Sequence, residues 1–455
     1  RREGCQFARE ADDQPRRRHH ALAVAFPLQH QPHDAFLQEA GRSVGFTITF
    51  LNIISWQQQP ATAAAAAAAA AADVAGERRL HEPHDTGSAV AKEGIKLDIM
   101  RIHMALPEMS TFGGVGVDVM ERFCSAVNSL APQIEQLQQQ SHDPPITCVI
   151  SDLLVSGITQ SAADKLNLPR IALYTNCQSH LLLQKGAVPL VFKALEARES
   201  LTWTISSNEG SLAYLQLKFV TLWITMETIN FGYTWMLQKS LQETKSKAHA
   251  IAINNFKEIE EDALKVNIGI PVYAVGPLVE PLENDLITSF WKEDEACLLW
   301  QDSQPCLSIL FISFGSIASL SLPQYGELVG GILINKQRFL WVLHSRFVKD
   351  TPVTASLEKL SSKSHDRGYV TQWAPQAKVL SHPSISGFLT HCGWNATVEA
   401  VSHGVPMICY LIFGDQFFKW KVGLSLEENK ETGLIKREEI QRVIQILAIR
   451  EGEYL

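Results

Sequence analysis

The sequence predicts an α/β protein made of two doubly wound domains. Three observations carry that expectation: a length of 455 residues, two separate series of short runs rich in β-branched and aromatic residues, and helix-length stretches between the runs. In the first series, HALAVAFP (20–27), FTITFLN (46–52), ITCVISD (146–152), RIALYT (170–175) and AIAINNF (250–256) read as buried strands. Between them lie segments such as residues 118–140, where apolar side chains recur every third or fourth position as in the helix of a βαβ unit. The second series follows VYAVGPL (272–278) and comprises SILFISFGS (308–316), RFLWVLH (338–344), GYVTQW (368–373), SGFLT (386–390) and VPMICYL (405–411). The expected limits are therefore 18–278 for the first domain, 279–299 for a linker and 300–455 for the second. The alanine run from Ala63 to Ala72 offers no face worth burying, so residues near 61–75 read as a surface insertion.

Composition narrows the function classes. Charged residues make up 19% of the chain and the net charge is -8, so no basic field exists for a nucleic-acid backbone. The eight cysteines are scattered without CxxC spacing, which argues against a zinc site or a disulfide framework and fits a reducing, cytoplasmic setting. No run of about 18 apolar residues is present to span a bilayer, and the Arg-rich opening lacks the apolar core of a secretory signal. A transit peptide remains open at that end.

Residues 373–416, WAPQAKVLSHPSISGFLTHCGWNATVEAVSHGVPMICYLIFGDQ, carry the densest chemistry. In an open α/β sheet, ligands sit beyond the carboxyl ends of strands, and anions favour helix N-termini where N–H groups point outward. Strand SGFLT runs into His391, Cys392 and Gly393, and NATVEAVSH then reads as a helix with Asn395 near its N-cap and Gly404 past its end. A diphosphate on that helix start would find close backbone approach at Gly393 and donors on His391 and Asn395, with Glu399 one turn on to accept from ribose hydroxyls. A second loop, FISFGSIASLS, offers Gly315 and Ser316 ahead of a helix beginning near Pro323. Taken singly, the histidine reads as a satisfied core or surface histidine, the glycines as tight turns, and Trp373 and Trp394 as core aromatics. Their joint occurrence at fixed spacing points to a nucleotide.

This 44-residue block resembles the plant secondary product glycosyltransferase box, the signature of plant family-1 UDP-dependent glycosyltransferases. The likeness extends from HALAVAFPLQ through SDLLVSG, INNFKEIE, YAVGPL and FISFGSIASLS to KREEIQ. It implies a GT-B fold, two Rossmann-like domains facing each other across a cleft, with the donor on the C-terminal side and the acceptor on the N-terminal side. By position, Trp373 would stack on uracil, the Ala374 backbone and Gln376 would bond its edge, and Glu399 would take the ribose. His391, Asn395 and Ser316 would hold the diphosphate, with Gly393, Trp394 and Ala396 completing the UDP site. Asp415 and Gln416 would read the sugar hydroxyls, an acceptor beside a donor and acceptor. A glutamine at the last box position accompanies glucose. Ala396 stands where the family has serine, Leu411 where it has proline, and the segment between Gln416 and Trp420 is short. The family pattern also continues past Leu455, so the C-terminal domain reads as truncated.

The resemblance also implies a histidine base after the first strand, oriented by an aspartate after a later one. Asp152, ending ITCVISD, matches the aspartate, although such an Asp also suits a capping position. For the base, counting back from GFTITF gives His30 and counting forward from FPLQ gives Gln31, because FPLQHQPHDAF lacks the family's glycine. His30 is taken as the base, with His33 the nearest substitute and His20 a strand-entry residue. The expected reaction is inverting transfer of glucose from UDP-glucose to a small lipophilic alcohol, with no metal, because the sequence shows no DxD cluster. Residues 217–238 would border the acceptor or pack on the sheet. A non-catalytic nucleotide-sugar-binding relative is the competing reading.

Overall fold

A computed structural model of the chain describes residues 20–25, 47–55, 96–104, 146–182, 231–279, 293–315, 318–344, 347–348, 367–412 and 422–454. The expected helix over 118–140, the alanine run and residues 217–230 lie outside them.

Two parallel sheets organise these residues. The first contains β1 (His20–Ala25), β2 (Thr47–Ser55), β3 (Lys96–Met104), β4 (Ile146–Asp152), β5 (Arg170–Tyr174), β6 (Ala250–Ile253) and β7 (Val272–Ala274), in the order β3-β2-β1-β4-β5-β6-β7. All its neighbours pair in parallel, and Val24 of β1 lies opposite Ser151 of β4. The strand order reverses between β1 and β4, and such a switch point opens a crevice at the carboxyl ends. Asp152 terminates β4 at that edge.

The second sheet repeats the plan with β8 (Ile309–Ser313), β9 (Arg338–Val342), β10 (Gly368–Thr371), β11 (Ile385–Thr390), β12 (Met407–Cys409) and β13 (Leu424–Ser425), in the order β10-β9-β8-β11-β12-β13. Its strands are again parallel, and Ser313 of β8 lies opposite Thr390 of β11 across the second switch point. Both faces of this sheet are covered, which is why its strands read as continuous apolar runs. Leu310, Ile312, Phe339 and Trp341 pack on one side with α5 (Leu322–Ile334) and α8 (Arg437–Tyr454). Ile309, Phe311, Leu340 and Val342 pack on the other with α4 (Ala296–Asp302), α6 (Gln376–Ser381) and α7 (Trp394–Ser402). Cys297 of α4 is fully buried in that second layer, and Asp294 accepts a 2.8 Å hydrogen bond from Tyr369. Packing onto the second sheet therefore begins at about residue 294, inside the stretch expected to be linker.

The remaining described helices are α1 (Ser156–Leu166), α2 (Phe231–Lys247) and α3 (Lys257–Leu264) in the first half. The first two flank a fully buried arginine. Arg170 donates from Nε to Gln160 of α1 at 2.7 Å, from Nη1 to Ser151 of β4 at 3.0 Å and from Nη2 to Thr244 of α2 at 3.1 Å. Burial pulls its pKa down from 12.5 to about 10, while Glu243 and Asp164 act in the opposite direction. The guanidinium thus ties two strands and two helices together behind the edge that carries Asp152. Arg170→Ala strands several buried acceptors at once, and the expected loss is about 3 kcal/mol or more of unfolding free energy, read from urea denaturation.

Candidate active site

At the first switch point, Asp152 caps a short 3-10 turn, Leu153–Val155, and its Oδ1 accepts from the Leu154 N–H at 2.8 Å. The capping role expected of an Asp after a strand is present. The side chain is only 2% exposed, however, and burial lifts its pKa from 3.8 to about 7, with the Leu154 N–H pulling the other way. A carboxyl held near neutrality at a sheet's carboxyl edge is suited to taking up or giving up charge when its neighbour changes protonation. His30, Gln31 and His33 lie outside the described residues. β1, which leads toward them in sequence, ends at Ala25 on the strand next to β4.

The second switch point brings the two sequence loops together. Thr390 ends β11 and its hydroxyl accepts from the Cys392 N–H at 3.1 Å, while Cys392 takes a left-handed φ of 58° that turns the chain into α7. The helix cap is Gly393, and Asn395, expected near the cap, sits second in the helix. A glycine cap offers no side-chain oxygen, and no side-chain cap bond is made there. The orphan N–H groups of the first turn are left for an anion, helped by the positive end of the helix dipole. Gly315 closes the other side of the same space. His391 lies against both glycines: a Cβ at Gly315 would fall 2.8 Å from its Cε1, and one at Gly393 would fall 2.5 Å from its Nε2. Gly315 also has φ 67°, a conformation costly for other residues. Gly315→Ala should displace the imidazole and weaken UDP binding by roughly tenfold, measured by titration calorimetry.

The rows of α7 divide its tasks, because residues four apart share one face. Asn395 and Glu399 form one row. The Asn395 side-chain oxygen is buried and has no hydrogen-bond partner among the described residues, so it is open to a ligand donor. Glu399 is 4% exposed and its Oε2 accepts from Nε2 of Gln376 at 2.6 Å. That bond joins the first residue of α6 to the middle of α7, bringing together two residues expected to bind one nucleoside. Trp373 is half-buried against the apolar layer below α6 and α7, its carbonyl accepting from the Asp294 N–H at 3.0 Å, and Ala374 is buried beside it.

Ala396 and Ala400 form a second row, packed in the apolar layer of the second sheet. The Ala396 side chain therefore belongs to the core, leaving only its backbone to meet a ligand. Trp394 heads the third row. Its ring is 3% exposed, and its indole N–H donates to the carbonyl of Asn254 in the other half at 2.5 Å. The indole is thus occupied by the first domain rather than by a nucleotide. Ser316, Asp415 and Gln416 lie outside the described residues. Among the described residues no group of three or more His, Cys, Asp or Glu is arranged to hold a metal ion, and no helix is long and apolar enough to cross a membrane.

Residues 288–422 match the family model described as UDP-glucoronosyl and UDP-glucosyl transferase. UDP-glycosyltransferase 85A1 of Arabidopsis thaliana is 34% identical over 70% of this chain and 70% of its own length. The 7-deoxyloganetin glucosyltransferase of Gardenia jasminoides is 33% identical over 68% of each. Among solved structures, a UDP-glucosyltransferase from Polygonum tinctorium capable of glucosylating indoxyl superposes with a TM-score of 0.63 over 94% of this chain and 90% of that one, at 24% identity. Os79 from O. sativa, solved in complex with UDP, gives 0.67 over 95% and 92%, at 17% identity. At such identities the structural likeness speaks for the fold, and that fold is GT-B.

Proposed function

Because the chain belongs to the UDP-glucoronosyl and UDP-glucosyl transferase family and is a UDP-glycosyltransferase, we propose that it moves glucose from UDP-glucose to a hydroxyl of a small lipophilic acceptor of phenolic, flavonoid or terpenoid type. Transfer inverts the anomeric centre and uses no metal ion. The observation that carries this reading is the pairing of two switch points. One holds a buried carboxyl, Asp152, with its pKa near 7. The other holds His391 between two glycines at the uncapped start of α7.

In this reading His30 takes the proton of the acceptor hydroxyl, and Asp152 stabilises the imidazolium that results. The oxygen forms its bond to the anomeric carbon from the side opposite UDP as the bond to the diphosphate breaks. That electron pair leaves on UDP, where the start of α7, His391, Asn395 and Ser316 meet the developing charge. Gln376 and Glu399 hold the nucleoside under Trp373. Asp415 and Gln416 select glucose, the sugar named for the Gardenia jasminoides relative. The acceptor half spans 18–278, the linker begins at 279, the donor half takes in the packing that starts at about residue 294 and runs to 455, and the protein works in the cytoplasm.

The test offers UDP-glucose, UDP-galactose and UDP-glucuronate in turn with a mixed panel of phenolic and terpenoid alcohols, with and without EDTA. The expected product is a β-glucoside, formed fastest from UDP-glucose and undiminished by EDTA. An α-linked product, a preference for another donor, or loss of turnover in EDTA would each overturn the corresponding part.

A further inference from the structure

The third row of α7 has no task in the transfer reaction itself. Trp394 and Val398, four residues apart, turn away from both the nucleotide row and the core row, and with Cys177 they form a buried cluster. Phe256, Ile259 and Val279 pack against it. Cys177 follows β5, Phe256 and Ile259 lie at α3, and Val279 follows β7, so the stripe's partners in this cluster come from the first half of the chain and the residue that follows it.

The seat is held rigidly from below. Asn254, whose carbonyl takes the Trp394 indole N–H, uses its side-chain Oδ1 to accept from the Leu278 N–H at 2.8 Å. Asn255 donates from Nδ2 to Glu260 at 2.7 Å, and its Oδ1 accepts from the Phe256 N–H at 2.8 Å. Glu260 in turn accepts from the backbone N–H groups of Gln178 at 2.7 Å and Ser179 at 3.0 Å. The loops after β5 and β6 and the strand exit at Leu278 therefore form one hydrogen-bonded block. Trp394 reaches it from the first residue of the helix whose N-terminus is read as the diphosphate seat.

We propose that Trp394 is a positioning residue: its indole bond to Asn254, with Val398 beside it, fixes the diphosphate-binding helix at a set distance from the acceptor half. This rests on the transfer reaction proposed above. The proposed nucleoside and diphosphate contacts all lie in the second half, whereas the proposed base and its aspartate lie in the first. The interface thus governs how the anomeric carbon meets the acceptor oxygen, and misplacement by about 1 Å at such a junction can slow a reaction about a hundredfold.

Trp394→Phe keeps most of the apolar ring and removes the N–H. The expected result is a fall in kcat of roughly tenfold or more with the UDP dissociation constant and the KM for UDP-glucose within about twofold of the parent. Weaker UDP binding with kcat unchanged would make Trp394 a donor ligand and overturn the inference, and so would parent values for both. Val398→Ala loosens the same stripe without touching the indole and should show the same split if Trp394→Phe does not fold. An unaltered kcat in folded Val398→Ala would then overturn the inference. A parent protein that binds UDP but transfers nothing sinks the proposed reaction instead, an outcome visible before any variant is made.

Discussion

Asp152→Asn is expected to lower the transfer rate by about a hundred- to ten-thousand-fold while leaving the protein at least as stable as the parent at pH 8. The two effects have opposite signs because one buried carboxyl causes both. Its pKa rises from 3.8 to about 7 on folding, so the folded state holds a proton that the unfolded state has already released. The proton's contribution to stability is complete below about pH 4 and is lost as pH climbs toward 7. An asparagine keeps the Oδ1 that accepts from Leu154 and carries no charge to bury. Relative to the parent, the variant should gain stability through the window from about pH 4 to 7 and hold that gain above it. Urea midpoints at pH 5 and pH 8 read this directly. Catalysis loses because an amide cannot stabilise the imidazolium formed on the base. A variant with near-parent turnover would remove Asp152 from the mechanism, whatever its stability.

Glu399→Ala is expected to weaken UDP binding by roughly ten- to a hundredfold. A buried carboxylate that accepts hydrogen bonds contributes about 1.5–3 kcal/mol for each, and its loss here removes both the Gln376 bond at 2.6 Å and the acceptor proposed for the ribose hydroxyls. Glu399→Gln, which keeps one acceptor oxygen, should fall between the parent and Glu399→Ala. Calorimetric titration with UDP alone separates this from catalysis. A parent-like affinity in Glu399→Ala would mean that the carboxylate serves only to anchor α6 to α7.

How much of this was legible before the structure depended on whether the cause was local. The buried strands were, because a parallel sheet covered on both faces needs continuous apolar runs such as SILFIS and RFLWV, and both runs contain strands, β8 and β9. β3 was missed. It is the outer strand of its sheet, where Lys96, Asp98 and Arg101 are tolerated, and they interrupt the apolar signal. The second switch point could be read from the glycines, and Asn395 does lie near the helix start, two residues after the cap. Asparagine is the better capping side chain in general, but here Gly393 caps and Asn395 turns its oxygen inward. Ala396 reads as part of the UDP site by its family position, and only the 100° step of a helix shows that its side chain enters the core. Nothing local could reveal the partner of Trp394. Its bond goes to a backbone carbonyl 140 residues away, and a carbonyl has no sequence signature.

The central claim is that the two switch points together perform transfer rather than nucleotide-sugar binding alone. Its most direct measurement counts UDP released against glucoside formed when the purified protein meets UDP-glucose and the mixed acceptor panel. The expected result is one UDP for each glucoside, both absent without acceptor. Saturable UDP binding with neither product would contradict the claim and leave a binding protein in its place.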